Sequence, residues 1–281
     1  MTKMNRKNNF QHKKHQKTPF KPQKTNIPSN QIWIFGKHSF YSSLKKQKRN
    51  FYQILVSENN EQEFLSFLES NPKLKSKVSS LIKICDGKTI SSNIDSPSPS
   101  THQGYAILAS KLKTKTQLEL LTHLYDLKEN GQKLPKLLIL DQVTDPHNIG
   151  AIIRSAVAFG VKELVLSEHN CASETSTTIK TSVGLIEEIN ITVVTNINNL
   201  IEKLKKIDYW VAGLAGEGKS SIADLKTYEN LALIVGSEGD GIRKLVKKNC
   251  DLLTKIDIMQ ECESLNASVA TAIALYELNK K

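Results

Sequence analysis

The amino-acid sequence predicts an α/β fold, and three observations carry the prediction. Four large apolar residues, Leu137 to Leu140, precede a polar loop and then Ile149, Ile152, Ile153, Ala156 and Val157 at helical spacing. From residue 135 to the end, apolar runs alternate with helix-like segments, the pattern of a mostly parallel sheet covered on both faces. Residues 30–110 hold a second, smaller set of strands and helices, so the 281 residues divide into two domains.

Residues 1–29 are Lys, Gln, Asn and Pro with few apolar groups. They cannot bury enough surface to offset the entropy of ordering, and a disordered basic tail is expected. Ile32 to Phe35 and Phe51 to Ser57 read as strands, separated by a basic segment with Phe40, Tyr41 and Leu44 at helical spacing. Residues 61–69 form a helix candidate with Phe64, Leu65 and Leu68 on one side, and Leu81 to Ile84 and Gly104 to Ser110 are further strands. Between those two strands lies SSNIDSPSPSTHQ, whose Ser and Pro content predicts an exposed, mobile loop. Residues 111–134 read as a polar, partly helical linker with Gly131 near its end and Pro135 just beyond.

Within residues 135–281, the run Leu137 to Leu140 suits a strand buried on both faces, although periodicity alone leaves a buried helix open. Asn148 is placed to cap the following helix and Gly160 to end it. Further strands are expected at Glu163 to Ser167, Ile189 to Val194, Tyr209 to Ala215, Leu231 to Gly236 and Leu252 to Ile258. Helices are expected within 173–183, at 198–206, near 241–248 and from Asn266 to Asn279. The loop at the carboxyl end of the first of these strands is where open α/β sheets bind ligands. Arg154 shares the helix face opposite the isoleucines with Ala151, Ser155 and Ala158, and on this stretch alone it reads as a surface arginine.

The net charge of +11 is unevenly spread. Residues 1–57 carry thirteen Lys plus Arg and no acid, whereas the rest carries 26 basic and 28 acidic residues. A block of that kind attracts polyanions through counterion release, or is a solvated tail. No apolar run reaches membrane-spanning length and no secretory core opens the chain. Cys85, Cys171, Cys250 and Cys262 are scattered without a CxxC pair. They argue against a zinc site and for a reducing, cytoplasmic setting, with no metal expected.

Three loops hold residues suited to chemistry. GLAGEGKS, Gly213 to Ser220, matches a phosphate-binding loop letter for letter. Only Ser220 to Asn230 separate it from the next strand, too short and too polar for the long helix such a loop requires, so nucleotide hydrolysis is not expected. GSEGDGIR, Gly236 to Arg243, lets a ligand approach the backbone and places Glu238 where it could accept hydrogen bonds, or face solvent. In the third, Ser264 and Asn266 are competent helix N-caps, and Ala267, Ala270 and Ala274 permit close packing, a second subunit being one partner.

Together, NIGAIIR (Asn148 to Arg154), IVGSEGDGIR (Ile234 to Arg243) and IDIMQECESLNASVATAIALYE (Ile256 to Glu277) resemble the three signature motifs of the SpoU/TrmH branch of the SPOUT methyltransferases. Upstream, IFGKHSF with a basic helix, ILVSENN and THQGYAIL resembles the L30e-like RNA-binding domain of 23S rRNA guanosine 2′-O-methyltransferases of that branch. The resemblance implies an L30e-like RNA substrate-binding domain at 30–110, a linker at 111–134 and a catalytic α/β domain at 135–281 closed by a trefoil knot, working as a homodimer. It implies S-adenosylmethionine as cofactor, with Gly236, Ile256 and Leu265 at the backbone positions that hold it. Asn148, Arg154, Glu238, Ser264 and Asn266 match the polar catalytic set, with Arg154 in the role that activates the ribose 2′-hydroxyl. Arginine is protonated at ordinary pH, so a hold on the RNA phosphate and on the charge developing at O2′ suits it better than proton abstraction. The chain departs from the pattern in its third motif, where Asp257 replaces a usual proline and Gln260, Glu261 and Glu263 replace small residues. The implied reaction is 2′-O-methylation of a guanosine in 23S rRNA. A tRNA guanosine methyltransferase and a non-catalytic RNA-binding ribosome factor are the competing readings.

Overall fold

A computed structural model describes residues 27–94, 99–168, 174–259 and 261–280. Most of the expected tail (residues 1–26), part of the Ser/Pro stretch (95–98), Cys171 and Gln260 lie outside the described residues.

The strands sort into two sheets. The first contains β1 (Gln31–Phe35), β2 (Phe51–Ser57), β3 (Ile82–Cys85) and β4 (Tyr105–Ser110) in the order β1-β4-β2-β3. Here β4 runs antiparallel to β1 and β2, and β2 parallel to β3. Ile34, Ile54, Val56 and Ile107 are buried with Phe40 and Leu44 of the helix Lys37–Lys46 and Phe64 of the helix Glu61–Glu69. Leu65, expected on the same apolar side, is exposed, because Phe64 and Leu68 already fill that side.

The second sheet contains β5 (Lys115–Thr116), β6 (Leu137–Asp141), β7 (Glu163–Ser167), β8 (Asn190–Val194), β9 (Trp210–Leu214), β10 (Ser220–Ser221), β11 (Leu231–Gly236) and β12 (Leu252–Lys255). Its order is β10-β12-β9-β11-β6-β7-β8-β5, and all neighbours are parallel. Every residue of β6, β7 and β11 is buried, as strands covered on both faces require. The chain leaves β6 on one side, toward β7 and β8, and later returns to its other side with β11. The β6/β11 boundary is therefore the point where the strand order reverses, the usual ligand crevice of an open sheet.

Three expectations change. The helix after β6 starts at Pro146, not at Asn148. Asp145 accepts from the His147 amide at 2.9 Å as N-cap, and Pro146 sits at the first turn where its missing N–H costs nothing. Residues 111–134 are partly helical, as expected, but pack on the large sheet. Lys115–Thr116 adds an edge strand beside β8, and the helix Gln117–Glu129, closed by a Thr116/Glu119 capping box, buries Leu120, Leu121 and Leu124 on the large sheet. The Ser/Pro stretch is partly helical: the end of the helix Gly87–Asn93, capped by Asp86, runs into it, Pro99–His102 lies within it, and buried His102 meets Ser91 at 3.1 Å.

A buried arginine helps to fasten the part carrying the smaller sheet to the part carrying the larger one. Arg49 is fully buried, donates from Nε to Glu187 Oε1 at 2.6 Å and from Nη1 to the Ser110 carbonyl at 3.0 Å, and pairs through Nη2 with Glu174 at 2.5 Å. Burial pushes the Glu187 carboxyl above the ordinary carboxylate range despite the guanidinium beside it. Around this pair Ser39 donates to the Ile179 carbonyl and Ser42 to the Gly184 carbonyl. Arg49→Ala would strand buried carboxylates, at a cost of about 3–5 kcal/mol. Urea unfolding should show a loss of that size, and a loss below about 1 kcal/mol would show the pair to be incidental.

Candidate active site

The site is assembled at the carboxyl ends of β6, β9, β11 and β12. The loop after β11 is held by its own geometry. Ser237 and Gly241 exchange backbone hydrogen bonds at 3.2 and 3.0 Å, and Gly239 and Gly241 take positive φ. A Cβ on Gly236 would stand 2.0 Å from the Gly241 carbonyl carbon, so only glycine fits there. Buried Asp141, the last residue of β6, ties this loop down. It accepts from Arg243 Nε at 2.7 Å and from the Arg243 amide at 2.9 Å. In the sequence Asp141 reads only as an acid ending a strand and Arg243 only as the last residue of the second motif, with nothing to pair them.

Glu238 is the meeting point of the polar residues. Its Oε2 accepts from Asn266 Nδ2 at 2.9 Å and from Asn148 Nδ2 at 3.3 Å. Asn266 Nδ2 also reaches Asn148 Oδ1 at 3.0 Å. Asn266 is the N-cap of the last helix, Ala267–Asn279, and its Oδ1 accepts from the Ser268 amide at 2.9 Å and hydroxyl at 2.6 Å. That cap leaves only Nδ2 to face Glu238. Asn148 is free for this contact because Asp145 does the capping of its own helix.

Beside this junction opens a cavity of about 310 Å³. Gly236, Ile256 and Leu265 line it together, with Glu238 and Ser264 at its polar side. Ile256 and Ile258, expected within the last strand, have left the sheet and turn into this lining, since β12 ends at Lys255. Glu217 pairs with Lys247 at 2.5 Å at the rim, and that contact holds the Glu217 carboxyl below its ordinary range. The residues that depart from the family pattern, Asp257, Glu261 and Glu263, are exposed, and Glu263 lines the cavity.

Arg154 is not in this cluster. It is exposed, lies about 9 Å along the helix axis from Asn148 and is not among the cavity's lining residues. Of the three alanines expected to allow close packing, Ala267 and Ala274 are buried within the chain itself. The outward stripe of the last helix is Val269, Ile273 and Tyr276, all exposed. The phosphate-loop lookalike forms no helix at Lys219, since β10 and a short 3-10 helix, Ile222–Thr227, follow it. Among the described residues no His/Cys/Asp/Glu group could hold a metal ion, and no helix is long and apolar enough to cross a membrane.

The family model for the SpoU rRNA methylase family matches residues 135–276, which run from β6 into the last helix and contain every residue of the junction. The chain belongs to this family. A 23S rRNA (guanosine-2′-O-)-methyltransferase RlmB of Xanthomonas campestris pv. campestris is 34% identical over 249 residues, covering 87% of this chain and 94% of the relative. The RlmB of Pseudomonas aeruginosa is 30% identical, with the same coverage of each chain. Among solved structures, an AdoMet-bound rRNA methyltransferase from Sinorhizobium meliloti superposes with a TM-score of 0.69 at 19% identity, covering 89% of this chain and 87% of that one. The SpoU methyltransferase AviRb from Streptomyces viridochromogenes, in complex with AdoMet, gives 0.65 at 17% identity, covering 89% and 90%. These two likenesses establish the α/β fold with its parallel sheet.

The cysteines of this SpoU family member differ sharply in exposure. Burial pushes the Cys85 and Cys250 thiols up to about 11, whereas Cys262 is exposed and sits next to Glu263 of the cavity wall. Alkylation at pH 8 followed by peptide mapping should label Cys262 well before Cys85 and Cys250. Equal labelling would contradict the placement of the loop 256–265.

Proposed function

We propose that this protein transfers a methyl group from S-adenosylmethionine to the 2′-hydroxyl of a guanosine in 23S rRNA, acting in the cytoplasm. The observation that carries the reading is the Glu238 junction with Asn148 and Asn266, set against a cavity walled by a glycine loop. Relatives bearing that activity in their names align over nearly their whole length.

The cavity suits the cofactor chemically. Gly236 gives bare backbone where an adenine edge could pair, Ile256, Leu265 and Val235 give apolar walls, and Glu217 and Glu238 give negative charge near a sulfonium or ammonium. S-adenosylmethionine supplies an electrophilic methyl on a positively charged sulfur. The residues of the chain then have distinct tasks. Glu238, accepting from both asparagines, holds the loop after β11, the first turn after β6 and the cap of the last helix in one register. Asn148 and Asn266 orient the ribose, and Ser264 offers a hydroxyl at the cavity wall. We read the loop 256–265, which returns from β12 beside the glycine loop to the last helix, as the threaded part of a trefoil knot.

Arg154 reaches the ribose from a second copy. The exposed Val269, Ile273 and Tyr276 stripe, with Tyr276 stacked edge-on against Phe159, supports a homodimer built on the last helix and the helix Pro146–Ala158. In that arrangement the guanidinium holds the RNA phosphate and the negative charge developing on O2′.

The direct test is methyl transfer to 23S rRNA with labelled S-adenosylmethionine, followed by mapping of the 2′-O-methylated residue. Arg154→Lys keeps the charge and loses the planar fork, and should lower kcat about tenfold or more with cofactor affinity unchanged. Near wild-type turnover would remove Arg154 from this role. Ile273→Glu should convert the dimer to a monomer in light scattering and abolish transfer. A dimeric Ile273→Glu protein would place the interface elsewhere.

A further inference from the structure

A second cleft, of about 500 Å³, lies away from the cofactor cavity where the two domains meet. Its walls are half-buried and apolar: Tyr41 and Phe67 from the N-terminal domain, Val183 and Leu185 from the methyltransferase domain. Lys37, Lys45 and Glu63 stand exposed at its rim. Lys37 Nζ meets Glu63 Oε2 at 2.9 Å, and the Tyr41 hydroxyl donates to Glu63 Oε1 at 3.2 Å. These contacts hold the Glu63 carboxyl below its ordinary range, so it is an acceptor only.

One wall residue is strained. Val183 has a φ of +48°, a left-handed conformation that suits glycine and disfavours a β-branched side chain. It ends the helix Ser176–Thr181, where its amide bonds to the Lys180 carbonyl. The turn is pinned by the neighbouring domain. A Cβ on the next residue, Gly184, would lie 2.6 Å from Ser42 Cβ and 2.9 Å from Ser39 Cα. Strain maintained at a cleft wall, where glycine would relieve it, points to use of the side chain. The same helix leads to the methyl-transfer site, because Thr181 Oγ1 lies 3.4 Å from Nδ1 of His147, the neighbour of Asn148.

We propose that this junction cleft binds one unstacked guanosine of the RNA substrate, other than the residue that is methylated. The inference rests on the RNA methyltransferase reading above. Tyr41, Phe67 and Val183 supply aromatic and apolar surface for a base face, as single-stranded RNA recognition requires. Lys45 stands exposed at the opening, where a phosphate would lie. Each oxygen of the Glu63 carboxylate keeps acceptor capacity beyond its contact with Lys37 or Tyr41, and guanine, whose N1–H and N2–H present two adjacent donors, is the base that matches it.

The test measures kcat and KM for a 23S rRNA transcript, with thermal melting, for wild type, Val183→Gly and Glu63→Gln. Val183→Gly should melt at or above wild type, keep kcat within twofold and raise KM for RNA at least fivefold. A residue serving packing alone would not gain stability while losing RNA affinity. Glu63→Gln should raise the same KM with unchanged melting. Wild-type KM in both variants overturns the proposal, as does a KM rise that appears only with a fall in melting temperature. If guanosine monophosphate binds the protein while both variants keep the wild-type RNA KM, the cleft serves a free nucleotide and the proposal fails. Absence of methyl transfer by the wild type would instead refute the methyltransferase reading. The cleft would then be judged by RNA filter binding of the same three proteins.

Discussion

The site depends on one carboxylate. Glu238 Oε2 accepts hydrogen bonds from Asn148 and Asn266, which come from segments 118 residues apart in the chain. Each asparagine is committed by its own surroundings. Asn266 has its oxygen occupied by the cap of the last helix, and Asn148 has its oxygen occupied by Asn266. The three side chains therefore have little freedom to face any other way, and a charge-assisted hydrogen bond from each amide is stronger than a neutral one. The strand order places this junction where β6 and β11 adjoin and the sheet reverses direction, so backbone topology and side-chain chemistry coincide.

The second constraint is the glycine loop behind it. Gly236 touches the Gly241 backbone so closely that no side chain fits, and Asp141 and Arg243 anchor the loop from beneath. A buried Asp141 with a half-exposed arginine partner gives the cavity a fixed floor. A cavity built on fixed backbone loses less entropy when a ligand binds than one built on mobile side chains. Arg49 applies the same logic at larger scale. A buried ion pair contributes little net stability but fixes geometry, and here it ties Arg49, beside the smaller sheet, to Glu174 and Glu187 next to the larger one.

The larger sheet was legible because its central strands are continuous apolar runs, a pattern that parallel sheets produce by being covered on both faces. The glycine loop and Asn266 were legible from residue type, since a tight turn and a helix cap each demand particular chemistry. The start of the helix after β6 is not legible in the same way, because Asn148 is a competent cap, while the Asp145–Pro146 pair three residues earlier is a better one. Arg49 could not be singled out from Lys45, Lys46 and Lys48 beside it. Only burial separates a clamp from a solvated charge, and burial is set by the partner domain. Val183 was silent for the same reason, since valine carries no signal for a left-handed turn that a neighbouring helix imposes. Arg154 read as an exposed arginine on its own stretch, and in the single chain it is one. The role proposed for it depends on a second copy of the chain.

That last point is open to a direct measurement. Arg154→Ala and Glu238→Ala, each inactive alone, can be co-expressed with different tags and the mixed oligomer purified through both. If the junction of one copy is completed by the arginine of another, the mixed species pairs one intact set and regains methyl transfer to 23S rRNA. A mixed oligomer as inactive as its parents would show that each chain must complete its own site, and the account of Arg154 would fall.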